Sequence, residues 1–93
     1  ADMARAWALY VGAALAGGQG DHGEAVQMLE QCLALRRRGA HPLEIAATLS
    51  TLALSRLQQG DAAGAAESER EALTIFREHG DQVGEAIGLQ HLG

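Results

Sequence analysis

One cysteine, one proline and three aromatic residues are spread over 93 positions. Each scarcity excludes something. Cys32 cannot form an internal disulfide alone, nor build a cysteine-based metal site. It suits a reducing compartment, and a cytoplasmic location is expected. Trp7, Tyr10 and Phe76 are the aromatics, and β-branched residues are sparse, so little of the chain favours strands. Positive charge is also short. The net charge is −5, which speaks against direct binding of nucleic acid or an anionic membrane surface, since both need a basic face. Arg36, Arg37 and Arg38 form the one basic run, and near a helix C-terminus they would complement its dipole.

No long hydrophobic run is present either. The stretch WALYVGAALAGG, Trp7 to Gly18, is too short to span a bilayer. Asp2 precedes it and Arg5 is its one basic flank, which is wrong for a signal peptide.

Chemistry is equally thin. His22, His41, His79 and His91 are scattered, and none stands four residues from another ligand as a helical metal motif requires. Glu24, close to His22, reads as a cap. Cys32 falls on an inward helix face and reads as a packing thiol. Ser50, Ser55 and Ser68 have no nucleophile-elbow context. Gly17-Gly18-Gln19-Gly20 lacks the lysine and preceding strand of a phosphate loop and reads as a helix end. No catalytic constellation, metal or cofactor is expected, and the chain reads as a non-enzyme.

What the sequence does have is alanine and leucine, both strong helix formers, and a repeat. QGDHGEAVQMLEQCL, Gln19 to Leu33, is answered 40 residues later by QGDAAGAAESEREAL, Gln59 to Leu73. At this shift 12 of 53 overlapping pairs are identical. They fall at helix-face spacing and at the Gln-Gly-Asp break, which favours a true repeat over shared composition. Ile45, Ala46, Leu49, Leu52, Ala53 and Leu57 follow the helical i, i+3, i+4, i+7 spacing. Gly60 stops that helix and Asp61 caps the next. Gly20-Asp21 and Gly80-Asp81 repeat the signal, with Asp21 and Glu24 as a capping box. Gly39 is expected to end the second helix, and Pro42 suits the first turn of the third. The helices are predicted at 3–18, 22–38, 42–59, 62–79 and 82–92. The fold class is all-α: a helical-hairpin array, or α-solenoid, of two repeats plus one extra helix. Residues 1–93 form a single domain, with repeats over about 3–40 and 42–80 and a partial third over about 82–93.

These residues resemble tetratricopeptide repeats. The family places small residues where the hairpin helices cross, here Ala13, Ala25 and Cys32, then Ala53, Ala65 and Ala72. Its Gly-Asp corner matches Gly20-Asp21 and Gly60-Asp61. The 40-residue period exceeds the usual length of about 34. FREHGDQVGEAIGLQHLG, Phe76 to Gly93, is similar to the long repeats of large bacterial signalling proteins, including transcriptional regulators with a nucleotide-binding switch module. There are departures. Arg56 and Glu69 stand where the family often has large aromatics, and repeat 1 has Ala16 and Leu29 there. Trp7 lies off the family's common tryptophan position. Because Arg56 and Glu69 depart together, they are expected to form an ion pair.

The resemblance implies a concave groove lined by the first helix of each repeat, binding a peptide or helix. It carries the groove to Trp7, Tyr10, Ala14 and Gly17, then to Ala47, Ser50, Leu54, Leu57 and Gln58, then to Ile87 and Gln90. Trp7 and Tyr10, three apart, could form one aromatic ledge; the other reading packs them on a neighbouring helix. The family's chaperone-tail readers clamp a terminal carboxylate with Lys, Asn and Arg. The corresponding positions are Tyr10, Ala14, Ser50 and Leu54, so that ligand is disfavoured. The resemblance implies a protein–protein interaction or scaffold module within a larger bacterial regulatory or signalling protein. Its partner would be a protein or peptide, or neighbouring domains of the parent. The alternative is a structural spacer or oligomerisation segment with no groove ligand. AIGLQHLG, Ala86 to Gly93, carries Ile87, Leu89 and Leu92, and the first helix begins without a polar cap. A fragment of a longer array is therefore expected, self-associating through open apolar ends.

Overall fold

The computed structural model describes residues 1–92, without the side chains at 88, 91 and 92. Expectations placed on the side chains of His91 and Leu92, and on Gly93, thus lie outside what is described. Five helices follow in order: α1 Asp2–Gly18, α2 His22–Arg36, α3 Pro42–Gln58, α4 Ala62–Glu78 and α5 Gln82–Leu92. Among the described residues there is no strand.

Three Gly-Asp corners set the turns. Gly20, Gly60 and Gly80 have φ of 85, 90 and 65°, the left-handed region that a Cβ disfavours. The following aspartate is used twice. Its N–H closes the finished helix, from Asp21 to the Ala16 carbonyl at 2.8 Å, and from Asp61 to Arg56 and Asp81 to Phe76 at 2.9 Å each. Its carboxylate then opens the next helix, accepting from the N–H of Glu24, Gly64 and Gly84 at 3.2, 2.9 and 3.0 Å. The capping box at Asp21 is only half formed, because the Asp21 N–H already serves Ala16.

The α2–α3 corner is built differently. Helix α2 ends at Arg36, two residues before the expected end, and Gly39 is not left-handed. Tight turns carry the chain onward, with Arg38 N–H on the Leu35 carbonyl and Gly39 and Ala40 N–H on that of Arg36. His41 Nδ1 then accepts from Leu43 N–H at 3.1 Å and Pro42 takes the first helical position.

Helix α1 packs on α2 and α3 on α4; α2 joins α3, and α4 joins α5. The result is a slab of 32 × 30 × 18 Å, two helix diameters thick. Ala13, Ala25, Ala53 and Ala65 are all buried, which lets helices approach closely. Ala13, Ala16, Ala25, Val26, Leu29 and Leu52 form one core cluster, so a leucine of α3 closes the first hairpin. Ala46, Leu49, Ala72 and Phe76 form the second, and Ala6, Cys32 and Leu35 a third.

One charge expectation changes. Among the described residues Arg56 makes no ion pair with Glu69. Its Nη1 donates to Ser68 Oγ at 2.6 Å and its Nη2 lies 4.0 Å from Glu30. Successive residues turn about 100° round a helix, so Ser68 faces Arg56 while Glu69 faces Ser50. The arginine run stands at the α2 C-terminus as expected, where cations complement the dipole, and each arginine has its own contacts besides. Arg37 pairs with Glu71 at 2.8 Å and Arg38 with Asp2 at 3.4 Å, whereas Arg36 is buried.

Candidate functional site

Tyr10 joins α1 to α3. The hydroxyl of Thr51 gives its single hydrogen to the Ala47 carbonyl at 3.0 Å, so Tyr10 Oη donates to Thr51 Oγ1 at 2.9 Å. The Tyr10 ring therefore has a fixed position. Trp7 stacks on it, with ring centres 6.2 Å apart and planes 10° from parallel. Trp7 is nevertheless 61% exposed, so it is not a core residue packed on a neighbouring helix.

Arg36 reaches the same ring from the end of α2. Its guanidinium carbon lies 4.9 Å from the Tyr10 ring centre. Its Nη1 donates to Thr48 Oγ1 at 2.7 Å and to the Glu44 carbonyl at 3.3 Å. Thr48 passes its own hydrogen to the same Glu44 carbonyl at 2.8 Å. Burial pushes the Cys32 thiol above its ordinary pKa, against the opposing pull of the Arg36 charge. A thiol held neutral and enclosed is a poor nucleophile.

Two adjoining cavities open on this face. The first, of about 320 Å³, is lined by Trp7, Tyr10, Arg36, Leu43, Glu44 and Ala47. The second, of about 210 Å³, brings together Tyr10, Ala47, Ser50, Leu54 and Ile87, with Thr51, Phe76 and Gly84. Tyr10 and Ala47 belong to both. Leu57 stands apart with Leu54 in a cavity of about 190 Å³ between α3 and α4. Gln90 joins Ile87 on the open side of α5. Ala14 and Gln58 are exposed and line none of these cavities.

Arg36, Thr51 and Phe76 were not among the expected groove residues. The repeat register did hold a signal for Arg36: it aligns with Phe76, a buried core position, so a cation there needs a purpose. The histidines are less scattered than their numbering suggests, since the rings of His41 and His79 lie 5.7 Å apart. Among the described residues no cluster of three or more His, Cys, Asp or Glu could hold a metal ion.

The sequence model described as Tetratricopeptide repeat matches residues 2–78. The chain belongs to the tetratricopeptide repeat family. No curated protein and no solved structure matches it. The matched residues span the tetratricopeptide hairpins α1/α2 and α3/α4, and α5 lies beyond them. Repeats of this family generally mediate protein–protein interaction or scaffolding. No described helix of this tetratricopeptide array is long and apolar enough to cross a membrane.

Proposed function

We propose that the chain is an interaction module whose face of α1, α3 and α5 holds a peptide or helix of a protein partner. One observation carries this. Trp7 is held outside the core yet stacked on the ring of Tyr10, which Thr51 holds in turn. Exposed, pre-ordered aromatics are what binding surfaces use, because little side-chain entropy remains to be lost. The groove set is Trp7, Tyr10, Ala14, Ala47, Ser50, Leu54, Leu57, Gln58, Ile87 and Gln90, with the two cavities at its centre. The repeats run over about 3–40 and 42–80, with a partial third over about 82–93. The likeness of Phe76–Gly93 to long bacterial repeats supports a cytoplasmic regulatory or signalling parent, whose own domains are candidate partners.

The test is a peptide library selected against the chain, with bound peptides mapped by amide chemical shifts. Shifts at Trp7, Tyr10, Ala47, Leu54 and Ile87 are expected. Shifts confined to the outer faces of α2 and α4 would refute the groove.

A second reading, an oligomerisation segment, is favoured by a different observation. Met3, Trp7, Val11 and Leu15 are all exposed and recur every four residues along α1, forming one apolar stripe. In that reading Trp7 faces a second copy.

A further inference from the structure

Arg36 is only 8% exposed, yet no carboxylate among the described residues pairs with it. Its described hydrogen bonds all leave from Nη1 and end on neutral oxygens, a threonine hydroxyl and a carbonyl. Nε and Nη2 make none of these bonds. No buried side-chain nitrogen or oxygen among the described residues lacks a partner. The two unbonded nitrogens are therefore not sealed in, and Arg36 lines a cavity with Trp7, Tyr10, Leu43, Glu44 and Ala47. A guanidinium edge bearing Nε and Nη2 matches both oxygens of a carboxylate. Burial sharpens the point, because a desolvated cation without an anion is costly and gains most from one that arrives. The guanidinium is also fixed in place by Thr48, the Glu44 carbonyl and the Tyr10 ring, so little of its freedom remains to be lost.

We infer that this cavity is a subsite for the carboxylate of a partner peptide's aspartate or glutamate side chain, held on Nε and Nη2 of Arg36 beside the Trp7–Tyr10 stack. The inference rests on the groove reading and adds its charge preference. The peptide's neighbouring apolar residue enters the adjoining cavity, which shares Tyr10 and Ala47. The first helices supply no cation here, and Arg36 arrives from α2. The chain's own net charge of −5 works against a strongly acidic partner, so one acid flanked by apolar residues fits best. Glu44 lines the same cavity and makes no ion pair among the described residues, so it weakens the site by repulsion.

The chain's single tryptophan lines the cavity, so its emission reports occupancy. The probes are three pentapeptides: alanine-leucine-glutamate-leucine-alanine blocked at both ends, its blocked glutamine counterpart, and the glutamine peptide with a free C-terminus. The blocked glutamate peptide is expected to bind about three- to tenfold more tightly than the blocked glutamine one, the range for a partly screened ion pair. Glu44→Gln should widen that ratio. Arg36→Lys, which keeps the charge and loses the fork, should narrow it, and the ratio is read on whatever fraction folds. Should Arg36→Lys not fold, Glu44→Gln decides. Equal binding of the two blocked peptides overturns the acid subsite while leaving the groove standing. A free-terminus glutamine peptide that matches the blocked glutamate peptide overturns it in favour of a chain end. Silence of Trp7 towards all three also overturns it, and the groove then stands or falls on the library selection.

Discussion

Ser50 on α3 donates its hydroxyl to the carboxylate of Glu69 on α4, with the two oxygens at 3.1 and 3.3 Å. Glu69 is 1% exposed. One repeat earlier the same register position is Leu29, 0% exposed. The fold therefore accepts an apolar side chain at this depth, and the glutamate is tolerated because it is bonded. Ser50→Ala is expected to cost about 1–3 kcal/mol, since it strips a hydrogen bond from a buried carboxylate. Combining it with Glu69→Leu should return stability to within about 1 kcal/mol of the parent or above, because removing both partners of a buried polar pair is often neutral. Urea titrations of the two single variants and the double variant check this. Strictly additive losses would remove the coupling.

Gly84 limits how closely α5 seats on α4. A Cβ there would overlap the Phe76 ring, and Gly84 is buried. Gly84→Ala should loosen α5 at a cost of about 1–3 kcal/mol, the range for overpacking. Amide exchange should speed up in α5 while α1 to α4 hold their protection. Gly12→Ala is the contrast, because its Cβ would meet the flexible tip of Met28 at 3.1 Å. The gain of about 0.5–1 kcal/mol from alanine within a helix should offset that contact. Equal losses at both sites would contradict the account.

The hairpins were legible because their signals are local. Gly20-Asp21 and Gly60-Asp61 act through bonds to residues within five positions, and the alanines bury wherever helices cross. The α2 end was misjudged because Arg36–Gly39 continues as tight turns that no single residue announces. The joint departure of Arg56 and Glu69 from the family pattern and the cost of a lone buried charge suggest a pair, but one residue of helical phase sends each to a different neighbour. The sequence places Arg36 near a helix end, over Phe76 in the repeat register, and shows no more of it. Its role depends on Tyr10, 26 positions away, and on Thr48 across a corner, and such contacts leave no mark in a linear pattern.

Cys32 makes a pH prediction. Its thiol is raised by burial, so the folded chain holds the proton more tightly than the unfolded one. Stability from this source is complete below the ordinary thiol value of 9.0 and is lost as pH rises through the higher folded value. Urea midpoints should fall from pH 8 to pH 10 more steeply for the parent than for Cys32→Ala. Other groups titrate over that range, so the difference between the two slopes is the measure. Parallel slopes would mean that burial does not shift the thiol.

The last prediction concerns the two outer helices. On α1, Met3, Trp7, Val11 and Leu15 form an apolar stripe, with Leu15 65% exposed. On α5, Val83, Ile87 and Leu89 are exposed, Val83 at 71%. Repeat units bury such faces only against neighbours. The two stripes lie on different helices, so joining one to the other between copies is a heterologous contact, and it can repeat without closing. The 93-residue chain is therefore expected to associate head to tail, with its sedimentation coefficient still climbing as concentration rises. Leu15→Glu blocks the α1 end and Val83→Glu the α5 end, so each variant alone should sediment as a monomer. Their mixture should yield a dimer and nothing larger, because one sound α5 face meets one sound α1 face and both remaining ends are blocked. A Leu15→Glu chain that dimerises alone would point to pairing of two α5 faces instead. A parent chain that stays monomeric at high concentration would show that these stripes do not drive association.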